Sequence, residues 1–219
     1  MLPHKLTFYH SIGLRFLIKT QAHFSIPLLC VKTCVAQASR VFFVRGFGCA
    51  LFVFCGDYMK FKSQTCCFTG HRFIEPQEAE KVFIKTKKTV SLLASKGVKY
   101  FGTGGAIGFD TIAAQAVLSV REINPEIKLI LVLPCKNQTR FWKQADIDIY
   151  EYIKSKADKV KYVSNQYYDG CMQKRNRRLV DCSSYCICYL KNDQSGTAYT
   201  VNYAKQQGLK IINIADTSA

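Results

Sequence analysis

Four short stretches of this sequence bring small, hydroxyl-bearing and cationic residues together in ways that could hold a phosphate. The first is Thr69-Gly70-His71-Arg72, where a glycine lets the backbone approach a ligand, a hydroxyl can bond an oxyanion and a guanidinium can pair with it. The second runs from Gly102 through Thr103, Gly104, Gly105, Ala106, Ile107, Gly108 and Phe109 to Asp110, and leads straight into Thr111-Ile112-Ala113-Ala114. A glycine-rich turn that opens a helix presents free amide hydrogens and the positive end of the dipole, a seat for phosphate or ribose. Asp110 fits this less simply. Its carboxylate would repel a phosphate, and it can equally bond the orphan amides of its own turn.

The third stretch, Cys171 to Asp181, carries four cations in one helical pattern: Lys174, Arg175, Arg177 and Arg178. Lys174 and Arg178 share a face and Arg177 can pair with Asp181 at i, i+4, so not all four point inward. Arg175 and Asn176 are assigned to the ligand side. The fourth stretch, Gln194-Ser195-Gly196-Thr197, is again a small-residue turn at the start of a helix. Each has an ordinary counterpart, a tight turn or a salt-bridged surface helix. Two phosphate-suited turns plus a basic helix within one domain favour ligand binding.

These stretches need a scaffold, and the pattern around them supplies one. From Gln64 onward, short β-rich runs alternate with longer helical periods, the signature of a parallel α/β sheet. Strands are expected at residues 64–69, 98–102, 128–133, 159–163, 185–190 and 210–214. Several are near-continuous apolar runs, as strands covered on both faces must be. Helices are expected at residues 76–95, 108–123, 140–156, 170–182 and 197–207. Pro76 suits a first helical turn, and Gly97 and Gly208 suit left-handed C-terminal caps. The expected fold is therefore α/β, a Rossmann-like doubly wound, mostly parallel six-stranded sheet with helices on both faces. In such sheets ligands bind beyond the carboxyl ends of the strands, where the four stretches lie.

Residues 1–58 read differently, with six Lys or Arg against one acid, Asp57, and no sustained period. They are expected to be a non-domain extension, with Met59 the true start and residues 59–219 the domain. The apolar stretch 41–55 is interrupted by Arg45 and is too short to span a bilayer, which takes about 20 apolar residues. No transmembrane span and no secretory signal are expected. The formal charge of +16 favours anionic partners, yet no block of five or six basic residues marks a nucleic-acid tail. Eleven cysteines follow no disulfide framework and no Cys-x-x-Cys spacing, and three of the four histidines fall in the first 23 residues, so no metal site is expected. The cysteines read as reduced, buried, small hydrophobes.

The combination of Thr69-Gly70-His71-Arg72, the Gly104-to-Asp110 turn, Met172 with Arg175-Asn176-Arg177 and Asp181, and Ser195-Gly196-Thr197 followed by Thr200, Val201, Tyr203 and Ala204 resembles the SLOG superfamily. That superfamily groups the DprA/Smf DNA-processing proteins with the Lonely Guy phosphoribohydrolases, and the resemblance is nearest to its bacterial YpsA-like branch. It implies a cytoplasmic, bacterial domain whose glycine loops bind a nucleotide or nucleotide-derived ligand, and it leaves activity open; the leading reading is a sensing or regulatory module, and the resemblance is compatible with a homodimer. Ligand contacts would come from Thr69, Gly70, His71, Arg72, Gly104, Gly105, Gly108, Asp110, Arg175, Asn176, Ser195, Gly196 and Thr197.

A phosphoribohydrolase activity is the alternative, with Arg175 and Asp110 as the candidate catalytic residues. Against it, the position that matches the Lonely Guy glutamate is Thr200, whose hydroxyl neither stabilises an oxocarbenium-like centre nor activates water well. The first glycine of the family's last turn is also replaced, by Ser195. DprA-like binding of single-stranded DNA is a second alternative, with Trp142, Tyr167 and Tyr168 as stacking candidates.

Overall fold

A computed structural model describes residues 61–215. The extension 1–58 and the expected start at Met59 lie outside the described residues. Six strands alternate with five helices: β1 (Thr65–Gly70), α1 (Pro76–Ser95), β2 (Tyr100–Thr103), α2 (Phe109–Arg121), β3 (Lys128–Leu133), α3 (Gln144–Lys156), β4 (Lys159–Tyr162), α4 (Cys171–Asp181), β5 (Tyr185–Tyr189), α5 (Gly196–Gln206) and β6 (Lys210–Asn213).

The strands form one sheet in the order β4-β3-β2-β1-β5-β6, and every neighbouring pair is parallel, so the expected mostly parallel sheet is wholly parallel. The chain steps outward from β1 to β4, then crosses back to lay β5 on the other side of β1. Because crossovers between parallel strands are right-handed, reversing direction sends the helices to the opposite face. α1, α2 and α3 accordingly share one core and α4 and α5 the other. The two cores read out the pleat of β1. Cys66 and Phe68 face the first and Cys67 the second, all nearly inaccessible.

The first core is the larger and is filled by Phe101, Phe109, Leu129, Leu131, Leu133 and Leu93. Fully burying one such side chain contributes about 1.5–3 kcal/mol. The second core is cysteine-rich, with Cys67, Cys186 and Cys188 packed against Leu179, Val180 and Val201. Burial pushes the Cys188 thiol up to about 12, so these thiols act as small apolar groups.

Element ends differ from the expected ones for local reasons. Gly97 adopts φ 87° and ends α1 with Gly97 N donating to Ala94 O and Val98 N to Leu93 O. Val98 therefore belongs to the helix cap, and β2 starts at Tyr100. Residues 137–142 fold into consecutive turns, with Arg140 N bonded to Asn137 O and Trp142 N to Thr139 O, so α3 begins only at Gln144.

Candidate functional site

The direction of strand order reverses between β1 and β5, and the loops after β2, β1 and β5 lie side by side at this carboxyl edge. The turn between β2 and α2 is locked to both neighbouring loops. On one side Gln138 Nε2 donates to Gly105 O at 2.8 Å. On the other, Phe109 N donates to His71 O at 3.1 Å, and a methyl group on Gly108 would fall 2.2 Å from the carbonyl oxygen of Arg72. Gly108, at φ 82°, is the N-cap of α2. Gly70 similarly gives room to the Phe109 ring.

Arg175 comes to this turn from α4. Its neighbours one turn away, Cys171 and Leu179, are buried, so Arg175 is drawn under the sheet edge and is only 6% exposed. Its guanidinium lies directly against Gly104, where a Cβ would stand 1.2 Å from Nη1. Its one carboxylate partner is Asp110, with Nη1 3.4 Å from Oδ2. That is long for a charge-assisted bond, which ordinarily falls near 2.7–2.9 Å. Arg175 Nε is buried with no hydrogen-bond partner among the described residues.

Asp110 also accepts from Ala106 N at 3.2 Å, so it bonds an orphan amide of its own turn. Burial raises its carboxyl above the usual carboxylate range, opposed by Arg175, by the amides of Ala106 and Gly104, and by Arg72. Burial likewise lowers the Arg175 guanidinium, and the nearby Arg72 charge adds to that. The site thus holds one deeply buried cation with unused donor capacity and one exposed cation, Arg72, within electrostatic range.

The remaining expected residues divide. Thr69 is buried at the end of β1. His71 bridges loops: its Nε2 accepts from Lys191 N at 3.0 Å and from Asn192 N at 3.4 Å, which fixes the neutral ring with its proton on Nδ1. Ser195 Oγ caps α5 by accepting from Ala198 N at 3.1 Å, and donates to Asn192 O. Gly196 is exposed with open space where a side chain would begin, and Thr197 is buried. Asn176 is not brought to the glycine turn: its Nδ2 donates to Thr200 Oγ1 at 2.9 Å, pinning α4 to α5. Trp142 packs edge-on against Tyr150 in the first core, whereas Tyr167 and Tyr168 are exposed. Gln138 is the site residue that sequence patterns missed, since a lone glutamine in a polar turn carries no signal. Among the described residues no group of three or more His, Cys, Asp or Glu is placed to hold a metal ion.

The His71 bridge predicts a pH dependence. Burial and the Lys191 charge lower its basicity in the folded protein. An unfolded histidine takes up a proton below about pH 6.5 while the folded one resists, so stability falls as the pH drops through that value. Urea midpoints for the full chain should fall further between about pH 7.5 and 5.5 than those of His71→Gln. Parallel curves would remove His71 as the cause.

A wholly parallel, doubly wound sheet with a glycine-rich turn at its strand-order reversal defines a Rossmann-like α/β domain. A family model described as the YspA SLOG family matches residues 66–214, and the chain belongs to that family. Among curated relatives, the SPbeta prophage-derived protein YoqJ of Bacillus subtilis (strain 168) is 30% identical over 135 residues, covering 56% of this chain and 79% of YoqJ. A UPF0398 protein of Halalkalibacterium halodurans is 27% identical over 124 residues, covering 55% of this chain and 66% of the relative. Among solved structures, DNA processing protein A from Streptococcus pneumoniae superposes with a TM-score of 0.50 at 21% identity, over 73% of this chain and 54% of that one. This chain therefore spans about half of that protein's length, and the likeness is one of fold. Among the described residues no helix is long and apolar enough to cross a membrane.

Proposed function

We propose that this domain binds a phosphate-bearing, nucleotide-type ligand at the glycine-rich turn, as a sensing or regulatory module. The observation that carries this reading is Arg175, a guanidinium only 6% exposed, lying against Gly104 with an unpartnered Nε and a single long contact to Asp110. Burying a polar N–H without a partner costs about 1–3 kcal/mol, and an arriving phosphate oxygen would supply the acceptor. Arg72 at the rim adds a second positive charge, and the amides of the turn at the N-terminus of α2 add donors.

Binding is favoured over hydrolysis by what stands at the position that matches the Lonely Guy glutamate. Thr200 is 4% exposed there, and its hydroxyl donates to Gly196 O while accepting from Asn176. Asp110, the carboxylate beside the turn, is engaged with Ala106 and Arg175.

A thermal-shift screen of the full chain against nucleoside mono- and diphosphates and dinucleotides tests this reading. At a hundredfold excess over Kd a ligand that binds only the folded state adds about 2.7 kcal/mol, which for a domain of this size raises Tm by roughly 5–10 °C. The absence of a shift with every nucleotide would sink the proposal. Release of free base during incubation would replace it with the hydrolase reading.

A further inference from the structure

Four aromatic side chains stand exposed in the loops at the carboxyl edge of the sheet: Phe73 after β1, Phe141 after β3, and Tyr167 and Tyr168 after β4. Phe141 is 88% exposed, although a phenyl ring gains from leaving water. Its backbone is fixed on both sides. Arg140 N donates to Asn137 O at 3.3 Å, Trp142 N donates to Thr139 O at 3.0 Å, and the Trp142 ring stands edge-on 5.5 Å from Tyr150.

This turn is locked to the phosphate seat and to the loop that follows β4. Gln138 Nε2 holds Gly105 O at 2.8 Å, and a Cβ on Gly105 would stand 3.4 Å from Tyr150 Cε2. Lys136 N donates to Asn165 O at 3.3 Å and Tyr167 N to Asn137 Oδ1 at 3.1 Å, which ties the two loops together. The second loop then runs straight into α4, where Cys171 N donates to Tyr168 O at 3.1 Å, one helical turn before Arg175. Phe141 and Tyr167 are thus carried on loops joined to each other, to the glycine turn and to the helix of Arg175.

On the opposite side of the turn the chain closes on itself. The amides of Lys191 and Asn192 are bonded to His71, Lys191 Nζ pairs with Glu78 at 2.7 Å, and the Tyr189 hydroxyl donates to the same carboxylate. Phe73 is the one exposed aromatic there among the described residues. The β3–β4 side is open and basic: Lys136 and Arg140 are exposed and make no ion pair among the described residues. The Arg140 guanidinium lies 5.0 Å from the centre of the Phe141 ring. Exposed rings beside unpaired cations suit a planar, anionic ligand better than an apolar partner chain.

We propose that Phe141 and Tyr167 hold the base of the nucleotide whose phosphate lies against Arg175, so that the ligand runs from the glycine turn toward β3 and β4 and not across β1. This inference rests on the nucleotide reading of the glycine turn and adds to it the direction and the contacts of the base. Only a ribose separates base from phosphate, so the base falls in the loops next to the one that seats the phosphate. Every base has a π face, so the rings supply affinity for a nucleobase without choosing among the four.

Isothermal titration of the full chain with AMP, GMP, CMP, UMP and ribose 5-phosphate tests it, comparing the wild type with Phe141→Ser/Tyr167→Ser. The variant changes only exposed side chains and should keep its melting temperature. It should bind the best of the four nucleotides at least about fivefold more weakly, since stacking on one ring contributes about 5- to 150-fold per base, and should bind ribose 5-phosphate as the wild type does. Wild-type affinity for ribose 5-phosphate equal to that for every nucleotide would overturn the base contact and leave the phosphate seat standing. Unchanged nucleotide binding by the variant would overturn it too, as would an equal loss for ribose 5-phosphate, or a loss in Phe73→Ser in place of this variant. No binding of any of the five compounds would overturn the reading of the glycine turn, and the base contact with it.

Discussion

Replacing Gly108 with alanine should lower the unfolding free energy by about 3–4 kcal/mol, whereas the same change at Gly170 should cost only about 1–2 kcal/mol. Both glycines have positive φ, 82° and 93°, but Gly170 is left-handed helical at ψ −7° whereas Gly108, at ψ −126°, lies where side chains are costlier still. The rest of the difference lies in what a methyl group meets. At Gly170 nothing stands within 4 Å, but at Gly108 the methyl would be 2.2 Å from the carbonyl oxygen and 2.5 Å from the carbonyl carbon of Arg72. Those atoms are backbone, and the loop that carries them is held by Phe109 N bonding His71 O and by the His71 bridge to Lys191. Moving it would cost further hydrogen bonds. Urea unfolding of the two variants decides the matter, and equal losses would mean that the loop after β1 yields freely.

Arg175→Met should abolish the nucleotide-induced thermal shift, lowering affinity by roughly 10- to 100-fold for each charge-assisted hydrogen bond removed, at about 1.5–3 kcal/mol apiece. Alone it also leaves Asp110 as a buried carboxyl without its cation, so it should be less stable than the wild type. Adding Asp110→Asn separates the two effects. A buried ion pair replaced on both sides by neutral groups is often neutral or stabilising, and here the pair is long and its arginine has an orphan nitrogen. Arg175→Met/Asp110→Asn should therefore regain stability in urea while still failing to bind. If the double variant recovered binding, Arg175 would not be the anion contact.

The sheet was legible because its strands are short apolar runs between helical periods, and Leu129, Leu131 and Leu133 fill the first core from one face of β3 as the pleat requires. Arg175 was assigned to the ligand side because the other cations of its helix pair or share a face; its burial comes from Cys171 and Leu179 on the same stripe of α4, which turn it inward. Asn176 was misplaced because its side of the helix depends on where α5 lies, which the sequence of α4 does not contain. His71 belongs to a motif, but its role as an acceptor is decided by amides of Lys191 and Asn192, about 120 residues further on. Ser195 offered a hydroxyl that could as well hold a phosphate as cap a helix, and the structure uses it as the cap.

The place of β1 in the sheet bears on how the chain is made. This strand leaves the ribosome first among the six, yet one of its two neighbours, β5, begins about 120 residues later, at Tyr185 opposite Cys66. At typical rates of synthesis that delay is about 6–24 s. Throughout it, one edge of an apolar strand containing Cys66, Cys67 and Phe68 has no β5 to pair with. A nascent chain interrupted before β5 presents that edge to other chains, so premature termination in this protein favours aggregation over a smaller folded fragment.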